Sequence, residues 1–310
     1  MTRTALALAA TALLLTACSS AEPGGDGGQV TVVTGLYPLE YAAQRVVGDV
    51  PGVTVETLAS PGVDAHDLEL TPRQVASVQD AGLVVYSAGM QAAVDTAVTD
   101  QAPAQSLDVA SVVDLLEADR EGHEDHDDED HEGHDHGGVD PHFWLDPQRY
   151  ALAGDAIADE LATIDPDNAD AYRANAEQFT ADLRALDTEF TEALAGCTQH
   201  TLVTTHEAFG YLAERYGFEQ TGITGITPES EPSPARMAEI TDAVKALDVS
   251  AIYAQSSLGR DLADVISSET GTQVLVLDPI ESITDSSAGT DYLEVMRANL
   301  ESLRQGQGCA

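Results

Sequence analysis

The sequence predicts an α/β protein of two lobes, each built on a mostly parallel sheet flanked by helices, with one long rigid helix joining them. Two stretches of the chain alternate short strand-like runs with helix-like periodicity, which indicates βα units. A single uninterrupted helical pattern separates these two stretches. Hydrophobic residues make up 43% of the 310 residues, which is enough to build a core in each lobe.

The predicted N-terminal lobe covers 29–146. Its predicted strands are Val30–Val33, Val53–Leu58, Leu83–Tyr86 and Ser106–Val109. Its predicted helices are Tyr41–Val47, Pro72–Asp80 and Gln91–Val98. Thr71 and Pro72 mark the start of the second helix, because proline has no N–H to leave unbonded at the first helical position.

The linking region, 147–197, contains the predicted long helix over about 166–195. Asp165 is a good N-cap, Pro166 a good first residue and Gly196 a natural stop. Apolar residues at spacings of three and four form one stripe: Tyr172, Ala176, Phe179, Leu183, Leu186, Phe190 and Leu194. About 30 residues at ~1.5 Å each give roughly 45 Å, more than the width of one small lobe. We therefore expect this helix to bridge the lobes and limit their swing.

The predicted C-terminal lobe, 198–310, repeats the alternation of the first lobe. Its predicted strands are Thr201–Thr205, Ala251–Ala254 and Gln273–Leu277. Its predicted helices are Ala208–Tyr216, Pro234–Leu247, Leu258–Ser268 and Tyr292–Arg304.

The first residues, 1–17, are typical of a bacterial lipoprotein signal. Arg3 supplies the positive start, and the apolar run that follows is too short for a bilayer, which takes ~20 residues. A cleavage box, Leu15-Thr16-Ala17-Cys18, predicts lipid attachment at Cys18, whereas the alternative is an ordinary secretory peptide with a chance cysteine. With a flexible tether over 18–28, the mature protein is expected outside the cytoplasmic membrane and anchored to it by lipid.

The remaining cysteines, Cys197 and Cys309, lie in a compartment where disulfides persist. They form either a disulfide or two unpaired thiols.

The chain has 54 acidic residues against 13 Lys and Arg, for a net charge of −41. This excess argues against nucleic acid as a partner and favours local enrichment of cations, although a general acidic bias of the source proteome would also explain it.

Four potential metal ligands lie near strand ends or beside Pro- and Asp-rich flanks: His66, His142, His206 and Asp278. In open α/β sheets, ligands bind outside the carboxyl ends of the strands. Two ligands from each lobe would therefore converge in the cleft between the lobes. Three imidazole nitrogens and one carboxylate suit a four-coordinate divalent metal, above all zinc.

An acidic, histidine-rich segment interrupts the N-terminal lobe as a predicted mobile loop over 118–139. It has no apolar periodicity, so it cannot fold alone. Its histidines are His123, His126, His131, His134 and His136. We expect a weak accessory zinc collector here, and the alternative is a solvated acidic run with no metal role.

Five stretches, in order along the chain, carry a family resemblance. They are Pro61 to Pro72, Asp140 to Pro147 (Asp-Pro-His-Phe-Trp-Leu-Asp-Pro), Thr205 to Tyr211, Glu231-Pro232-Ser233 and Leu275 to Pro279. The chain resembles the metal-specific solute-binding proteins of ABC transporters, in particular the zinc (ZnuA-like) branch. The resemblance implies that His66, His142 and His206 bind the metal, with Asp278 or a water completing the sphere. It also implies delivery to a membrane permease and its ATPase, and we expect a monomer.

Two departures from the family pattern affect the fourth ligand. Ala65 and Gln255 stand where relatives commonly carry other residues, in some cases a carboxylate at the first position and often Glu at the second. Both departures favour Asp278 or solvent as the fourth ligand. Manganese-binding relatives tend to have a carboxylate at the position of His206, and manganese prefers oxygen, so three histidines favour zinc.

Other classes of function give less complete explanations. A secreted zinc hydrolase would keep an open metal position and could use Glu207 as a base, but the sequence has no His-Glu-x-x-His spacing. A surface zinc chaperone acting through the acidic loop alone would leave the two lobes unexplained. We therefore predict a binding protein and not an enzyme.

Overall fold

The computed structural model describes residues 29–118, 138–226, 231–255 and 260–309. Its N-terminal sheet consists of β1 (Val30–Thr34), β2 (Val53–Thr57), β3 (Leu83–Tyr86) and β4 (Ser106–Asp108). The strands are all parallel, in the order β2-β1-β3-β4. The helices of this lobe are α1 (Tyr37–Val47), α2 (Pro72–Asp80) and α3 (Ala92–Gln101). The predicted elements of this lobe are confirmed, and Thr71 and Gln74 form a reciprocal capping box on α2.

Two helices occupy the linking region and pack antiparallel. They are α4 (Pro147–Ile164) and α5 (Ala169–Leu194), joined by a 3₁₀ turn over Pro166–Asn168. The long helix is confirmed, whereas α4 is not among the predicted elements. Near one end Gln148 donates a hydrogen bond of 3.1 Å to Asp187.

The C-terminal sheet repeats the topology of the first. Its strands are β5 (Thr201–Thr204), β6 (Glu219–Gly222), β7 (Ala251–Ala254) and β8 (Gln273–Val276), all parallel, in the order β6-β5-β7-β8. Its helices are α6 (Gly210–Tyr216), α7 (Pro234–Ala246), α8 (Arg260–Thr270) and α9 (Tyr292–Gly306). The predicted start of α8 at Leu258 lies outside the described residues. In this lobe the prediction missed strand β6, because it is a short, polar edge strand without apolar alternation.

Helix α5 contacts both lobes. The whole predicted apolar stripe is buried in one core that includes β1 and β5 residues such as Val32 and Leu202. On α1, Arg45 pairs with Asp182 of α5. On α6, Arg215 makes two hydrogen bonds of 2.7 and 2.6 Å to Asp187 of the same helix. The lobes are therefore fastened to one helix, which restricts their relative motion.

A disulfide joins Cys197, just beyond α5, to Cys309 at the end of the chain. The paired alternative for these cysteines is therefore the one that the structure contains. None of the described helices is long and apolar enough to cross a membrane. The predicted signal 1–17, Cys18 with its tether 18–28, and the five loop histidines within 119–137 lie outside the described residues.

Candidate metal centre

Four donor atoms converge between the lobes, from His66, His142, His206 and Glu281, and all lie within 4.8 Å of one another. Glu281 Oε1 lies 3.2 Å from Nε2 of His142, 3.5 Å from that of His66 and 3.6 Å from that of His206. The Nε2 atoms of His66 and His142 are 3.3 Å apart. The side chains are buried, at 7% exposure or less.

These separations match a tetrahedral zinc site. Zinc bonds of about 2.0–2.2 Å to nitrogen and oxygen give a tetrahedron with edges of roughly 3.3–3.6 Å. Four of the six distances between donor atoms, 3.2 to 3.6 Å, lie close to these values, and the other two are within 4.8 Å. The group can therefore receive a zinc ion with little rearrangement.

The two ligands from the N-terminal side are held by the same local device, an Asp-x-His turn. His66 lies in the connection between β2 and α2, and its backbone N–H donates to Asp64 Oδ1 at 2.8 Å. His142 precedes α4, and its backbone N–H donates to Asp140 Oδ1 at 2.9 Å. The same Oδ1 lies 2.7 Å from His142 Nδ1, which turns Nε2 toward the centre of the site. A carboxylate behind a metal-binding imidazole fixes its orientation and raises its basicity.

His206 follows β5 at the topological switch point, since β5 lies between β6 and β7. Its carbonyl accepts hydrogen bonds from Thr204 Oγ1 at 2.7 Å and from Gln220 Nε2 at 3.2 Å, which fix the backbone. The buried Nε2 atom has no hydrogen-bond partner among the described residues. A buried donor atom in this state is suited to a metal ion.

The fourth converging donor differs from the residue that the sequence analysis favours. Glu281, and not Asp278, stands among the converging atoms. Asp278 shapes the loop after β8: its Oδ1 accepts the N–H of Ile280 at 2.8 Å, and Asn299 bonds both its N–H and its carbonyl. Ile280, the residue before Glu281, adopts a φ of 62°. This left-handed value is unfavourable for a β-branched residue, and the hydrogen bonds of the turn stabilise it.

The same arrangement occurs in the other lobe, where Asp108 at the end of β4 accepts the N–H of Ala110 at 3.0 Å. This parallel supports a structural role for Asp278. A signal for Glu281 was available in the sequence, because it is a second carboxylate in the same strand-end loop as Asp278, three residues further on.

Electrostatics set the charge states of His142, His206 and Glu281 in the metal-free site. Burial alone would lower the pKa of His142, but Asp140 and Glu281 outweigh it and raise this pKa to about 9. Burial would raise the pKa of Glu281, yet the three nearby histidine side chains, His142 foremost, hold it well below its usual value. Burial lowers the pKa of His206 despite Glu281. At neutral pH, His142 is therefore protonated and Glu281 ionised, while His206 is neutral.

Glu207, the base of the hydrolase alternative, is not one of the four converging residues. It lines a neighbouring cavity of about 370 Å³, together with other carboxylates that include Glu214 and Glu219. Glu207, although it follows His206 directly in the chain, thus lines a different cavity from the cluster of four converging residues.

A closed metal site between two α/β lobes that share one long helix defines a metal-specific solute-binding protein. A family model described as the periplasmic zinc-uptake complex component A, ZnuA, matches residues 32–306. This chain belongs to the ZnuA family.

Named relatives agree with this assignment. The zinc-binding lipoprotein AdcA of Streptococcus pneumoniae is 36% identical over 299 residues, covering 95% of this chain but 58% of that protein. The chain thus spans little more than half of the AdcA length. The high-affinity zinc uptake system protein ZnuA of Bacillus subtilis is 33% identical over 306 residues, covering 96% of this chain and 95% of that protein.

A solved structure shows the same fold. The Zn(II)-bound ZnuA-like domain of S. pneumoniae AdcA has a TM-score of 0.73 and 33% identity, and the match covers 90% of this chain and 99% of that domain.

Proposed function

We propose that this protein captures zinc outside the cytoplasmic membrane with high affinity and delivers it to the permease of an ABC transporter. The main support for this proposal is the buried cluster of His66, His142, His206 and Glu281, whose donor atoms lie at distances that suit a four-coordinate zinc ion. Two of its relatives, a zinc-binding lipoprotein and a zinc uptake protein, support the same conclusion.

The chemistry of the donors favours zinc over manganese. Three imidazole nitrogens and one carboxylate make a small, nitrogen-rich, four-coordinate site, whereas manganese prefers more oxygen ligands in octahedral geometry. An enzymatic role is disfavoured for a related reason. Four protein donors already fill a tetrahedral sphere, and a catalytic zinc needs an open position for water.

The remaining parts of the proposal come from the sequence. Lipid attachment at Cys18 would hold the protein at the membrane surface, close to the permease and its ATPase. The lobe boundaries at 146 and 197 and the monomeric state also stay predictions. An accessory role for the loop 118–139 belongs to the same proposal.

The capture step is tested by titrating metal-free protein with zinc in competition with manganese. His142→Ala removes a buried donor, and we expect it to weaken binding of the tight zinc by more than the ~10–100-fold that loss of a supporting residue costs. His200→Ala is the matched control, because His200 is exposed and hydrogen bonds to Gly217 away from the site. Undiminished tight binding by His142→Ala, or a preference for manganese, would overturn the proposal.

A further inference from the structure

The metal site is closed, and its donors come from opposite sides of α5 in the sequence. His66 and His142 precede α5, whereas His206 and Glu281 follow it. All four residues are buried. Zinc can leave only when the segments that carry the donors move relative to one another, so contacts that join these segments control its release.

Tyr211 of α6 makes such a contact with the segment that carries His142. Its hydroxyl accepts the backbone N–H of Leu116 at 2.8 Å and donates to the backbone carbonyl of Asp140 at 2.6 Å. Leu116 and Asp140 are also bonded directly, since the N–H of Asp140 donates to the carbonyl of Leu116 at 2.9 Å. The hydroxyl therefore stands where the second hydrogen bond of an antiparallel pair would be.

Tyr211 lies close in the chain to His206, one of the converging residues. It is buried, and it lies five residues after His206. Asp140 in turn lies two residues before His142 and bonds both its backbone N–H and its ring. One hydroxyl thus links the element that follows one zinc ligand to the residue that orients another.

A second link lies on the other flank of His142. The indole N–H of Trp144 donates to the carbonyl of Pro279 at 2.7 Å, and Tyr292 of α9 donates to the carbonyl of Trp144 at 2.5 Å. Pro279 lies two residues before Glu281. The segment of His142 is therefore joined on one side to the helix that follows His206 and on the other to the loop that contains Glu281.

We propose that Tyr211 is a positioning residue that sets the rate at which zinc leaves the site, with the Trp144–Pro279 bond as the matching link on the other flank. The proposal rests on the proposed zinc-binding function. The Tyr211 hydroxyl bonds to the backbone of Leu116 and Asp140 and not to a donor atom of the metal site. It acts through Asp140 and His142 by holding the two sides together, so its loss should affect release more than capture.

The test is Tyr211→Phe, which removes the hydroxyl and keeps the ring. Zinc-loaded protein is mixed with chelator at concentrations where the release rate no longer depends on the chelator, and association is measured separately by stopped flow. The substitution removes two buried hydrogen bonds, so we expect release to be at least about tenfold faster, the ratio that corresponds to a net loss of one such bond, and association to change by less than about threefold. Tyr172→Phe is the control, since it loses a buried-ring hydroxyl bonded to Asp165 at the start of the long helix.

A purely structural role would lower the melting temperature of both variants and leave zinc release unchanged. That result would overturn the proposal, because it would show that the Tyr211 hydroxyl does not limit zinc release. Trp144→Phe provides a second variant with the same expected direction should Tyr211→Phe fold poorly. If the unmodified protein binds no zinc tightly, the proposed function fails; if it does and Tyr211→Phe releases zinc at the normal rate, this inference alone fails.

Discussion

Zinc binding should release about one proton, and this proton should come from His142. Asp140 and Glu281 raise the pKa of this imidazole to about 9 in the metal-free protein, after burial has opposed them. Nε2 of His142 must be deprotonated to bind the metal. His206 and Glu281 add little, because His206 is already neutral and Glu281 already ionised.

The magnitude follows from a single titration with this pKa. About 0.9 protons should be released per zinc at pH 8 and about 0.5 at pH 9. The sign is definite: protons compete with zinc below pH 9, so affinity rises with pH, approaching tenfold per unit well below 9 and levelling off above it. Acidification should therefore weaken the tight site as well as the loop.

Calorimetry measures this release directly. The first zinc equivalent is titrated at pH 8 in two buffers with different ionisation enthalpies, and the difference in heat gives the number of protons. Asp140→Asn is the informative variant, because it removes the nearest charge that raises the pKa of His142 and should lower the number released. Binding heats that do not depend on the buffer at pH 8 would refute this account of the electrostatics.

Three further predictions concern the ligand set, the disulfide and the loop. Glu281→Gln should weaken tight zinc binding more than Asp278→Asn, which should instead lower the melting temperature of the metal-free protein; the reverse order by calorimetry would restore Asp278 as the ligand. Replacing Cys197 and Cys309 by Ala should lower the free energy of unfolding by about 4–5 kcal/mol, because the bond closes a long loop, and an unchanged urea midpoint would contradict this. Deleting 122–137 should remove the weaker zinc equivalents and keep the tight one, so an unchanged stoichiometry or loss of the tight site would exclude a collector.

Most of the secondary structure could be predicted because its signals are local. The apolar stripe from Tyr172 to Leu194 and the Thr71-Pro72 cap depend on residues close together in the chain, and both occur as expected. Helix α4, which the prediction omitted, also had local signals, since Asp146 caps it and Pro147 occupies its first turn. Strand β6 had none, because a polar edge strand is stabilised mainly by its pairing with β5.

The sequence by itself determined the two-lobed α/β plan, the bridging helix and the three histidines that meet in the site. Periodicity and position at strand ends are properties that the chain carries locally. Only the tertiary structure decided between Asp278 and Glu281, which lie in one short loop. Asp278 accepts hydrogen bonds from Ile280 and Asn299 and donates its backbone N–H to Asn299. These bonds turn the backbone, so that Glu281 is the carboxylate that reaches the three imidazoles. Which of the two carboxylates points toward the imidazoles depends on contacts between residues far apart in the chain, and no local sequence pattern specifies it.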